Sequence, residues 1–391
     1  MVTIVYAGKE FPESWSKSIM LVGPTPRSPK PGQAPIPSWR PAALAYLEEI
    51  GYDGVVFVPE PPPGEKWQSF DAQVLNEKEM LHDADVIVAW IPRKMDGMPA
   101  LTTNDEFGRW KNSGKMILGA PEDAVSVRYQ QKYAQLLSVP SFTTMEETLK
   151  AAVDRIGTGA LRTLGERHVP LHVWKTAFFQ KWYANLRAAG NRLDGARVEW
   201  TFRVGPKKDF VLYWAMHVDI YVAAEGRNKS NEVVVSRPDI SVICGFRRMP
   251  DILDSEIVLI KEFRSPCSNS EGFVFELPGG SSFKPNKDSL VVAGEEFEQE
   301  TGLMLDPIRF QIEQSRQLAA TLSAHAAYLV SVQMTEGEMD DLRSKAGVAY
   351  GVVGETERTY VVVKTLREIL EGTVVDWSMT GMILSVLNKK Y

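Results

Sequence analysis

Two acidic pairs in this chain have the residue type and spacing for chemistry. The first is Glu106, in the stretch LTTNDEFGRW (101–110), with Glu77 one element earlier in NEKEMLHDADVIVAWIPR (76–93). A carboxylate held beside a sugar can attack the anomeric carbon and form a glycosyl ester, while a second carboxyl group protonates the departing base. Glu106 fits the first role and Glu77 the second; Asp85, Asp96 and Asp105 are weaker candidates. The ordinary role of a glutamate in a helix's first turn is only to complement the macrodipole. The second pair is Glu296 and Glu300, in ELPGGSSFKPNKDSLVVAGEEFEQETGL (276–303). Four residues apart on a helix, they lie one above the other. Two stacked carboxylates facing a glycine turn can hold Mg²⁺ against a pyrophosphate.

The elements that must hold the first pair alternate in type. Residues 19–22 (IMLV), 55–58 (VVFV), 86–91 (VIVAWI) and 115–118 (KMIL) read as strands, apolar on both faces. Segments 39–50, 76–82 and 107–112 read as helices between them, with Ser38 as the expected cap of the first. The Thr-Thr-Asn that opens LTTNDEFG is turn chemistry, so that stretch reads as a loop leading into the last helix. This alternation predicts a parallel sheet covered by helices, with ligands bound at the carboxyl ends of its strands. Gly23, Pro24 and Thr25 make a tight loop at one such end, Arg27 and Arg93 flank the crevice, and Asn104 lies in the Glu106 stretch. A guanidinium there forks to a phosphate, which favours a 5′-phosphorylated nucleotide over a free nucleoside.

Thr144 and Glu147 form a capping box that opens a helix running to about residue 162. The domain boundary is expected there: a first domain over 1–145, a linker helix over 146–165 and a second domain over 166–391. An aromatic-rich helix over 172–189, containing Trp174, Phe178, Trp182 and Tyr183, reads as core or subunit interface. Strands over 198–204, 210–223, 233–235, 240–246, 257–263 and 273–277 follow, then helices over 288–300 and from about 379. This predicts an α+β domain with a mixed sheet.

Bulk properties narrow the function. A chain of 391 residues is too long for one ordinary core. The net charge of −6 opposes non-specific nucleic-acid binding. The apolar runs are strand-length, so no membrane span is expected. The two cysteines, Cys244 and Cys267, form no metal spacing and no disulfide framework, which points to a reducing, cytoplasmic compartment. The five histidines are scattered.

Five segments in order, IMLVGPTPR, PSWRPAAL, GVVFVPE, NEKEMLHDADVIVAWIPR and LTTNDEFGRW, resemble the nucleoside 2-deoxyribosyltransferase family over about residues 18–140. The resemblance implies a flavodoxin-like doubly wound sheet, assembly into homo-oligomers, Glu106 as nucleophile and Glu77 in the active site. Asn76-Glu77 stands where that family usually has Trp-Glu. Residues 276–303 resemble the Nudix box, Gly-x5-Glu-x7-Arg-Glu-U-x-Glu-Glu-x-Gly-U, where U is a bulky apolar residue. IVLIKEFRSP (257–266) and GETERTYVVV (354–363) look like the flanking strands of ADP-ribose-type Nudix members, and the likeness covers about 195–391. It implies Mg²⁺ on Glu296, Glu300 and Glu355, with Arg264 and Glu276 as candidate substrate contacts; Glu357 is a further acid there. Aligned back from Gly302, Glu295 replaces the box arginine, Gln299 replaces one glutamate, and the first glutamate falls near Lys287. A glutamate in place of the bracing arginine adds repulsion, so hydrolysis and binding without turnover both stay open.

The combined expectation is a nucleotide-metabolism enzyme. It would cleave or transfer the N-glycosidic bond of a (deoxy)nucleoside or its 5′-monophosphate, and its second domain would bind a nucleoside diphosphate derivative. An NAD- or ADP-ribose-processing enzyme and a nucleotide sensor are the alternatives.

Overall fold

Strands apolar on both faces need cover on both sides, and the N-terminal sequence supplies it. In the computed structural model, which describes residues 1–27, 36–65, 69–281, 289–351 and 358–389, six strands form a parallel sheet. They are β1 (Thr3–Tyr6), β2 (Ser18–Val22), β3 (Val55–Val58), β4 (Val86–Trp90), β5 (Met116–Gly119) and β6 (Ser141–Phe142). Their order is β1-β3-β2-β4-β5-β6. Alternation divides each strand between two cores. Ile19, Leu21, Val56, Val58, Val86 and Val88 face helices α1 (Arg40–Glu49) and α5 (Met145–Ile156). Met20, Val22, Val55, Phe57, Ile87 and Ala89 face α2 (Phe70–Asp83), α3 (Leu101–Trp110) and α4 (Arg128–Leu137). β3 and β4 flank β2 on opposite sides, so the direction of winding reverses there. In sheets of this kind ligands bind outside the carboxyl ends of the strands at such a reversal, here those of β2 and β4.

Two local expectations are corrected. LTTNDEFGRW is helical from its first residue, as α3. Thr103, Glu106, Phe107 and Trp110 form its buried stripe, an i, i+3, i+4, i+7 pattern that includes the glutamate. Burial of that stripe overrides the turn preference of Thr-Thr-Asn. The aromatic segment is two helices, α6 (Leu171–Trp174) and α7 (Ala177–Ala188). Thr176 interrupts them because its side chain caps α7, accepting from Phe179 N–H at 3.3 Å.

The chain divides into two compact units, Met1–Ser236 and Arg237–Tyr391, rather than within 146–165. The expected linker helix is α5, whose Leu149, Ala152 and Ile156 belong to the parallel sheet's core. Arg162 binds the Asp85 carboxylate through both terminal nitrogens, at 2.7 and 2.6 Å, with both side chains fully buried. The first unit also holds an antiparallel three-stranded sheet of β7 (Arg192–Val204), β8 (Phe210–Val222) and β9 (Arg227–Ser236). Its Trp214 and Met216 join the core that contains Trp174, Phe179 and Tyr183.

The second unit is a mixed sheet. Its strands are β10 (Ile240–Arg247), β11 (Glu256–Phe263), β12 (Phe273–Glu276), β13 (Gly279–Gly280), β14 (Gln311–Gln317), β15 (Ala326–Gln333), β16 (Ala349–Tyr350) and β17 (Thr359–Thr365). β10 and β15 run parallel, and the other pairs are antiparallel. Helices α8 (Ser289–Thr301) and α9 (Glu336–Ser344) cover one face through Phe297 and Met339. Helices α10 (Leu366–Glu371) and α11 (Trp377–Leu387) cover the other. Among the described residues no helix is long and apolar enough to cross a membrane.

Candidate active site

At the carboxyl end of β2 the backbone must pass close to β4. A Cβ on Gly23 would stand 2.2 Å from the Trp90 carbonyl oxygen, so only glycine fits there. The turn is locked from beneath by Arg40, whose side chain is almost wholly buried. Its guanidinium donates to the Gly23 carbonyl at 2.8 Å, the Leu21 carbonyl at 3.3 Å, Thr25 Oγ1 at 3.3 Å and Glu60 Oε1 at 2.5 Å. Glu60 follows β3 and also accepts from Ser38 Oγ at 3.2 Å. Ser38 is thus not the formal cap of α1, which begins after Trp39, although its hydroxyl accepts from Arg40 N–H at 3.3 Å.

Glu106 enters this neighbourhood from α3. It is about nine-tenths buried, and its carboxyl group is pushed up from 4.5 to about 7. Burial is the main cause; the charges of Glu77 and Asp105 raise it further, and Arg40 opposes them. Glu77, on α2, is also raised, first by burial, while Gln73 Nε2 at 2.8 Å and Arg40 draw it down. Burial thus raises both carboxyls in the field of one fixed cation, and Glu106, at about 7, can exchange a proton at neutral pH.

The other expected residues fall into distinct groups. Pro24 is buried and its carbonyl accepts from Trp39 Nε1 at 3.2 Å; Thr25 and Arg27 are exposed on the same loop. Arg93 is buried, and its guanidinium is engaged by the Ser126 carbonyl at 2.7 Å, the Ala100 carbonyl at 3.5 Å and Asn104 Oδ1. Asn104 Oδ1 also accepts from Gln130 Nε2 at 2.6 Å. Arg93 and Asn104 therefore hold the β4–α3 connection to α4. Asp85 is a structural hub at the amino end of β4, accepting from Ser18, Arg162 and the Leu171 N–H.

Sequence reading passed over Arg40 and Glu60 as site residues. A signal was present: a cation in the first turn of a helix opposes the macrodipole, and such an arginine needs a specific anionic partner. Here that partner is Glu60.

In the second unit Glu300 is buried and its Oε2 accepts from the Gly279 N–H at 2.8 Å. Glu296 lies against the same turn, where a Cβ on Gly280 would meet its Oε2 at 2.7 Å. Arg264 contacts Glu276 Oε1 at 2.9 Å and Glu262 Oε2 at 2.8 Å, so the two expected substrate contacts pair with each other. Glu355, with Glu357 and Lys287, lies outside the described residues. Among the described residues no three His, Cys, Asp or Glu side chains gather as a metal site. Glu296 and Glu300 would supply part of the oxygen shell that a hard cation takes. A scan against protein-family models finds no match, and neither does a search of curated proteins.

Proposed function

We propose that the first unit cleaves or transfers the N-glycosidic bond of a (deoxy)nucleoside or its 5′-monophosphate, on a flavodoxin-like scaffold of the deoxyribosyltransferase kind. The observation that carries the reading is the buried Glu106, poised near pH 7 within the field of Glu77 and Arg40. Glu106 Oε attacks C1′ as the C1′–N bond breaks, and the base leaves with a proton from Glu77. Water or a second base then attacks C1′, the ester bond to Glu106 breaks, and the acceptor's proton returns to Glu77. The second unit, read as Nudix-type, binds a nucleoside diphosphate derivative.

The test is chromatographic. Purified protein is incubated with nucleosides, their mono- and diphosphates, NAD and ADP-ribose, with Glu106→Gln in parallel. Free base that falls at least about 10³-fold in the variant is expected, the scale of losing a covalent nucleophile. No free base from any compound sinks the reading. Attack requires Glu106 ionised, so base release is expected to rise as pH is raised through about 7. A profile flat from about pH 5 to about pH 9 removes ionisation of Glu106 from the step.

A further inference from the structure

A second feature of the first unit lies at the opposite, amino end of the parallel sheet. It is a cavity of about 730 Å³ whose lining includes neither Glu77 nor Glu106. Its floor is built from Lys115, just before β5, and from the far ends of the helices that carry the two glutamates: Lys78 and His82 on α2, Arg109 and Trp110 on α3. Its wall is β7. The register of β7 against β8 skips Glu199, since Ala215 pairs with Trp200 and Met216 with Val198. At this bulge Ala196 and Val198 pack on the core, and Val198 also reaches the cavity beside Arg197, Trp200 and Phe202.

The charge inside is one-sided. Lys78, Arg109, Lys115, Arg197, Arg203 and Lys208 line it, against one carboxylate among the described lining residues, Glu199. Glu199 is taken by Arg197, whose Nε lies 2.6 Å away. Among the described residues Arg203 is held by neutral acceptors, the Lys208 carbonyl at 3.0 Å and the Asn112 carbonyl at 3.3 Å, and desolvation lowers its proton affinity. Lys115 donates to the Leu81 and His82 carbonyls at the end of α2. His82 and His172 each present a buried Nε2 with no hydrogen-bond partner among the described residues. Both imidazoles are depressed, first by burial and then by the surrounding cations. Asp83 and Asp85 offset Lys115, so the partly desolvated cation without a counter-charge among the described residues is Arg203, with the exposed Lys78 and Arg109 beside it, an arrangement that a bound anion would complete. Trp200 and Phe202 add a flat apolar wall: their rings stack 5.9 Å apart at 27°, and both are about half exposed.

We propose that this cavity is a second ligand site, for a small phosphorylated molecule carrying a flat heteroaromatic ring. The phosphate sits among Arg109, Arg203 and Lys78, within reach of the two imidazole nitrogens, and the ring stacks on Trp200. The site is independent of the glycosidic chemistry proposed above.

The test uses the full chain carrying Glu106→Gln, titrated calorimetrically with AMP and with inorganic pyrophosphate. Saturable binding of both is expected. Adding Trp200→Ala should weaken AMP by at least about fivefold, the cost of one lost stacking contact, and leave pyrophosphate unchanged. Adding Lys78→Ser with Arg109→Ser should weaken both ligands at least tenfold, with melting temperature and circular dichroism checked because both positions are exposed and tolerant. AMP binding indifferent to both sets of substitutions, or no pyrophosphate binding, overturns the proposal. A single-stranded octanucleotide that binds more than about a hundredfold tighter than AMP also overturns it, since the face would then read nucleic acid.

Discussion

Both units set carboxylates beside a glycine turn, and the two are treated in opposite ways. In the first, Glu106 is buried with its proton affinity raised to about 7, and the cation in its field, Arg40, is divided among Glu60, a hydroxyl and two carbonyls. In the second, Glu300 accepts the Gly279 N–H, and Arg264 lies between Glu276 and Glu262. Groups held in electrostatic tension keep reactivity available at a cost to stability. Groups that satisfy one another make structure. The comparison favours the first unit as the seat of the proposed chemistry, and it can be broken by measuring how much each set of contacts is worth.

The largest expected effect is at Arg40. Arg40→Met leaves Glu60 and two buried carbonyls without their donor, and breaking a buried ion pair from one side costs about 3–5 kcal/mol. Urea denaturation followed by tryptophan fluorescence would read this. The variant should also move the Glu106 titration upward, because Arg40 is the charge that lowers it. A loss under about 1 kcal/mol would show that the glycine turn is held by other contacts.

Next is Glu106 itself, where the sign is opposite. The folded value, about 7, lies above the ordinary 4.5, so the fold prefers the protonated form. The group costs nothing below about pH 4.5, increasingly destabilises the fold as pH rises to 7, and holds its full penalty above that. That penalty is about 3 kcal/mol at pH 8. Glu106→Gln should therefore raise the melting temperature at pH 8 and leave it nearly unchanged at pH 4, while abolishing base release. Stabilisation that is the same at both pH values would mean the gain is packing, not charge.

How much of this was legible in the sequence follows from what each signal measures. The strand 55–58 and the Thr144 cap stand as read, Thr144 Oγ1 accepting from Glu147 N–H at 3.3 Å, because both are local patterns; the Glu147 carboxylate accepts from the Thr144 hydroxyl at 2.8 Å instead of closing the box on its backbone N–H. β1 was not anticipated: half of Thr3–Tyr6 is exposed, so it lacks the continuous apolar run of its neighbours. Glu106 was picked out by motif but placed in a loop, because turn propensity was weighed and the buried stripe through Thr103, Phe107 and Trp110 was not. The boundary at 146–165 failed for a non-local reason. Arg162 reaches back 77 residues to Asp85, and no local pattern marks such a pair. Arg40, Glu60 and the basic cavity are likewise products of topology, assembled from elements far apart in the chain.

The smallest effect sharpens the comparison from the other side. Glu276 is about a fifth exposed, and its partner Arg264 is 42% exposed and keeps Glu262 as a second anion. Glu276→Gln retains an oxygen acceptor and removes one charge from a solvent-screened group, so it should cost less than about 1 kcal/mol at pH 7 and less again in high salt. The measurement is the same urea titration at two salt concentrations. If the loss instead matched that of Arg40→Met, the second unit would hold its charges as tightly as the first. Satisfied pairing would then no longer separate a structural cluster from a working one.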